Sequence, residues 1–191
     1  MRGFTMIEVL VTLVIMMFGL LGIAGLILKG QKAGYEAYQR NQALIIAMDM
    51  AEKMKTNRLT APTPGQIDTA RYLTGGAYGM PLGVAAVALP AACISGPPGC
   101  VGNALVDFDL ATWNNLLVGT QETSVLTGGN VGGIINARGC IELVGGAPVG
   151  TARISVAWQG DMDTVAPATS ACGAGLYGTA GRRRVVSIDI M

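Results

Sequence analysis

From Phe4 to Leu28 the chain carries one ionisable side chain, Glu8. A carboxylate in such an apolar run has two uses. It can serve a helix start: Thr5-x-x-Glu8 fits a capping box, and an acid there complements the positive end of the helix. It can also seek a cation. At a bilayer centre a charged side chain costs about 2.5–3.5 kcal/mol, and less towards an edge, so it needs a partner. If the chain is cut between Gly3 and Phe4, the new Phe4 amine is such a partner. Pairing between neighbouring helices would then set their register, as polar groups inside apolar interfaces do.

The four cysteines, Cys93, Cys100, Cys140 and Cys172, allow three pairings. Export would place them where disulfides form. The expected pairing is Cys93–Cys100 with Cys140–Cys172, which requires no interleaved loops. Chain-entropy arithmetic gives about 2.5 kcal/mol for the short loop and about 3.7 kcal/mol for the long one. The alternatives are four free thiols in a reducing compartment, or a zinc site. The cysteines lack the close spacing of zinc ribbons and fingers, so no metal is expected.

Three further patterns resemble sites. Gly173-x-Gly175-x-x-Gly178 has a dinucleotide-binding spacing, but it leads through "TAGRRRVV" into a strand rather than a helix, and reads as a loop. Asp161 and Asp163 in "GDMDT" lack the remaining ligands of a calcium loop and read as a solvated turn. Arg182–Arg184 reads as a solvated strand edge that discourages strand addition; DNA contact is not expected there. The net charge of +1 and the 5% aromatic content argue against a nucleic-acid surface. The chain has no His, and no nucleophile–base pair is visible. Neither an enzyme nor a cofactor is expected.

The elements that must position these residues follow from pattern. The run at 4–28 is long enough to span a bilayer as a helix. Gly19, Gly22 and Gly25 fall in it at helical spacing, each costing about 1 kcal/mol relative to Ala. Close helix approach would offset that cost. The helical pattern continues over 29–58, with an apolar stripe at Leu44, Ala47, Met48, Ala51 and Met54 and i,i+4 pairs Glu36–Arg40 and Asp49–Lys53. Asn57 and "APTPG" are expected to end it. Residues 4–58 as one helix would reach about 80 Å, at about 1.5 Å per residue.

Residues 59–106, rich in Ala, Gly and Pro, read as a long variable connection with a short turn of helix. "DFDLATWNNLLVG" reads as a helix capped by Asp107 or Asp109 and closing near Gly119. Residues 139–144, 151–159 and 183–190 read as antiparallel strands. Ile154, Val156, Trp158, Val186, Ile188 and Ile190 form their inward faces, with Ser155 and Ala157 outward.

"RGFTMIEVLVTLVIMMFGLLG" resembles the class III signal of type IV pilins and type II secretion pseudopilins. The resemblance implies cleavage by a prepilin peptidase between Gly3 and Phe4, N-methylation of Phe4, and an assembly role for Glu8. "AYQRNQALIIAMDMAEKMKTNR", "DLATW", "RGCIELV", "ISVAWQG" and "RRRVVSI" further resemble the minor pilins of that family.

The fold class so implied is α+β: a pilin-like lollipop, its long N-terminal helix packed against a small antiparallel β-sheet head. Residues 1–3 would be the leader, 4–28 the transmembrane and filament-core half of the helix, 29–58 its amphipathic half, and 59–191 the head. The implied setting is the inner membrane, single-pass with a periplasmic head, then the pilus. The implied partners are prepilin peptidase, other minor pilins, the major pilin and a tip adhesin. A type II secretion minor pseudopilin shares the signal. A membrane-anchored periplasmic binding protein, cut by an ordinary peptidase at Gly22–Ala24, is the remaining alternative.

Overall fold

The computed structural model describes residues 3, 5–60, 69–94, 100–145 and 151–190. The fold is α+β, combining a long N-terminal helix with a three-stranded antiparallel sheet. The first helix, α1, runs Met6–Thr60 over 55 residues. The chain divides into two compact units, Met1–Tyr38 and Gln39–Met191. In the first unit every described side chain from Thr5 to Tyr35 is exposed. Helix formation there rests on local bonding and on good helix formers such as Leu, Met and Ala.

The second unit holds the core. From Gln39 onward α1 buries Ala43, Ile46, Ala47, Met50, Ala51 and Met54. That stripe is rotated from the expected one: Met48 is exposed and Leu44 only half-buried. Helical spacing alone admits both settings, and Met50 at 0% exposure shows which face the sheet and α3 claim. Asn57 does not end the helix. It lies inside α1, buried, with its side chain turned to the core.

The connection after α1 carries short helical turns, as expected: α2, Thr69–Thr74, and a 3-10 helix, Ala91–Cys93. Leu82 exchanges two backbone bonds with Gly139, at 2.9 and 3.0 Å. Residues 83–87 are then held by two side-chain amides. Asn114 Oδ1 accepts from Gly83 N and Asn114 Nδ2 donates to Ala85 O, both at 2.7 Å. Asn115 bonds both the N–H and the C=O of Val87. The amides supply what a neighbouring strand would, so the backbone is satisfied without a ladder.

α3 spans Asn103–Val118, with Gly102 at its N-cap, and so starts earlier than expected. Asp107 and Asp109 are therefore inside the helix and cap nothing. Gly119 closes it with φ +77°, donating its N–H to Asn115 and Leu116 carbonyls. A Cβ at Gly119 would run into the backbone of Gly133, so both the turn and the close approach require glycine.

The sheet is ordered β1 (Arg138–Leu143), β2 (Ala152–Gln159), β3 (Arg183–Ile190), antiparallel throughout. Ile141 faces Ile154, and Val156 faces Val186. Ile154, Val156 and Trp158 join Trp113, Leu110, Leu117 and the α1 stripe in one core, with Val186 and Ile188 packed against it. Trp113 ties the helices together, its Nε1 donating to the Ile46 carbonyl of α1 at 2.9 Å.

The other face of β2 is not solvated. Ser155 and Ala157 are both fully buried. A second cluster of Ala157, Cys140, Cys172 and Tyr177 covers that face, and Ser155 Oγ meets Ser187 Oγ at 2.9 Å. Period-2 alternation identified the strand; it could not show that the 170–178 segment folds over its outer face.

Candidate functional site

The residues expected to carry processing and assembly lie at the start of α1. Gly3 is exposed, and a Cβ built on it meets nothing. Phe4, the expected methylated residue, lies outside the described residues. Thr5 precedes the helix, and its carbonyl accepts from Glu8 N at 3.1 Å and Val9 N at 3.4 Å. Glu8 stands in the first helical turn, where its charge complements the exposed amides. Among the described residues no side-chain hydrogen bond joins Thr5 and Glu8. The Glu8 carboxylate is exposed on its own helix, open to a partner from elsewhere.

Around it stand Met6 at 92% exposure, Ile7, Val9 and Leu10, and further along Phe18 at 71%. This segment is long and apolar enough to cross a membrane. A Cβ on Gly19, Gly22 or Gly25 also meets nothing, so these positions offer a flat surface to another helix.

The cysteines pair as Cys93–Cys100 and Cys140–Cys172, with Cα separations of 4.5 and 5.7 Å. Cys140–Cys172 fastens the 170–178 segment to β1. The glycines of the 173–178 pattern lie in that loop, where Gly173, Gly175 and Gly178 take positive φ; a single 3-10 turn, Ala180–Arg182, leads from them into β3, not the α-helix a dinucleotide fold needs. Asp163 accepts from Thr179 Oγ1 at 2.6 Å and faces Arg182 Nε at 3.6 Å.

The arginine run departs from expectation. Arg183 is not on a solvated edge but 9% exposed. Its Nη1 donates to the Ser170 and Cys172 carbonyls and its Nη2 to Pro167, so it braces the loop from beneath.

Sequence reasoning missed one polar centre. Asp109 Oδ2 accepts from Asn57 Nδ2 at 2.5 Å and from the Tyr72 hydroxyl at 2.6 Å. These buried side chains join α1, α2 and α3. Burial holds the Asp109 carboxyl above its ordinary range, against the two hydrogen bonds and the nearby Lys53 charge that favour its ionised form, with Asp49 adding repulsion. Burial also raises the Tyr72 hydroxyl, assisted by the adjacent Asp109. Beside it Arg71 grips Asp107 through two bonds of 2.8 and 2.6 Å. The signal was present: Asp109 shares the buried face of α3 with Val106 and Trp113. An acid at such a position has to find donors.

The model of the prokaryotic N-terminal methylation motif matches residues 1–24. Neither the curated proteins nor the solved structures yield a match to the chain. The motif covers Gly3, Phe4, Glu8 and most of the exposed apolar run, which it marks as a membrane-anchoring segment. The chain thus carries the signal of type IV pilins and pseudopilins, and that signal supports a type IV pilin-like protein.

Proposed function

We propose that the chain is a minor pilin of the type IV pilus, of the kind called PilV or type IV pilus modification protein. Prepilin peptidase cuts between Gly3 and Phe4 and methylates the Phe4 amine. The subunit waits in the inner membrane, single-pass, with its head in the periplasm. It then primes filament assembly with other minor pilins and the major pilin, and so supports twitching motility and adhesion, in association with a tip adhesin. Its role is structural rather than catalytic.

The observation carrying this reading is the methylation motif at 1–24, set at the head of an apolar run in which Glu8 is the one ionisable side chain from Phe4 to Leu28. In a stack, Glu8 takes up the Phe4 amine of a neighbour. Burial between apolar helices lowers the effective dielectric and makes that pair the dominant polar contact fixing the axial step. Stacking of this type is heterologous, each subunit presenting two different faces.

The second reading, a minor pseudopilin of type II secretion, rests on the same motif. Cross-linking in native membranes followed by mass spectrometry separates the two. Capture of pilus subunits is the expected result; capture of secretion-system pseudopilins alone would assign the chain to the other machine.

A further inference from the structure

The pocket beside Arg183 is unused by the function proposed above. It measures about 150 Å³, and Ala174, Gly175, Tyr177, Gly178, Thr179 and Arg183 line it. Its chemistry is one-sided. Arg183 is buried, yet its three hydrogen bonds all go to backbone carbonyls. A guanidinium has five N–H donors, so two remain unassigned. No carboxylate pairs with it among the described residues. Buried charges are ordinarily paired, because carbonyl dipoles alone offset desolvation only in part.

A second cation strengthens the imbalance. Arg138 Nη1 donates to the carbonyls of Gly83 and Ala137, again with no carboxylate among the described residues. The fields of Arg138 and Arg183 both reach Tyr177. Two acids contact residues around it, and both are engaged: Asp163 with the Thr179 hydroxyl and Arg182, and Glu142 with the Ser170 hydroxyl.

The loop adds donors. The amides of Gly175, Tyr177 and Gly178 bond no acceptor among the described residues. Gly175 and Gly178 take φ of +78° and +74°, and neither has atoms within 4 Å of where a Cβ would stand. Left-handed turn residues with free amides make anion-binding concavities. The volume suits a phosphate or the carboxylate end of a sugar ring, and excludes a nucleotide.

We infer that this pocket binds a small oxyanion, either free phosphate or the carboxylate of an acidic sugar. Arg183 supplies the charge, and the amides of the 175–178 turn supply the shape.

The test uses the full chain in detergent micelles. Amide resonances of Gly175, Tyr177 and Gly178 and the Arg183 guanidinium signal are followed during titration with inorganic phosphate, galacturonate, and galactose as the neutral control. Arg183→Gln would also loosen the loop it braces, so the variant is Ala174→Leu, which narrows the pocket from an exposed position. The expected result is a saturable shift with at least one anion, none with galactose, and at least tenfold weaker binding in Ala174→Leu. Response to phosphate alone assigns free phosphate; response to galacturonate assigns the acidic sugar. No saturable response to either anion, an equal response to galactose, or unchanged binding in the variant would overturn the inference.

Discussion

Glu8 and Asp109 are both carboxylates among apolar neighbours, and they differ in whether the chain supplies a partner. Asp109 has Asn57 and Tyr72 within its own core. Glu8 is exposed on its helix, with its proposed partner on another subunit. Glu8→Ala is therefore expected to leave membrane insertion and head stability unchanged while reducing piliation and co-purification with other pilins severalfold. Unchanged piliation in that variant would leave Glu8 as a helix-start residue only.

For Asp109 the sign of the pH effect follows from its raised folded value. Between the ordinary value of 3.8 and the higher folded one, the folded state binds more protons than the unfolded state. Stability from this group is thus full below 3.8 and declines as pH rises through the folded value. Asp189, held low by Arg153, acts oppositely: its contribution is present above 3.8 and lost as pH falls below it. Melting temperatures of the chain and of Asp109→Asn across the acid range should differ by an amount that shrinks, from the native side, as pH rises above 3.8. A pH-independent difference would refute the assignment. Glu8 was legible from sequence because a lone charge in an apolar run announces itself. At Asp109 only the acid on an apolar helix face was legible; its partners Asn57 and Tyr72 come from two distant segments and were not.

At the scale of elements, the strands and the length of α1 were readable because periodicity is a local property. Which face each element buries was not local. The α1 stripe turned towards Met50 because Trp113, Leu110 and the sheet share that core; α3 began at Asn103, ahead of the acids expected to cap it. Arg183 was misjudged for the same reason: a strand-start arginine looks solvated until a loop 11 to 16 residues upstream folds over it. Gly139 shows how tightly α3 and β1 meet. A Cβ there would lie 2.5 Å from Trp113 Cη2 and 2.6 Å from Leu117 Cδ1. Gly139→Ala is expected to cost about 1–3 kcal/mol by overpacking, read as a lowered melting temperature or denaturant midpoint. Wild-type stability in that variant would mean that α3 and β1 yield more freely than close packing implies.

For the whole molecule, two economies of apolar surface stand on one chain. The unit from Gln39 onward gathers aliphatic and aromatic side chains into a buried core and fastens its last loop with Cys140–Cys172 and Arg183. The 6–28 region leaves its own exposed. Surface of that extent needs lipid or neighbouring helices, and the methylation motif at its head supports a membrane anchor. Most direct among the tests of this account is the intact mass and N-terminal peptide of the protein from its native membranes. The account predicts a chain beginning at N-methylated Phe4. A chain retaining Met1, or one beginning at Gly25, would contradict it.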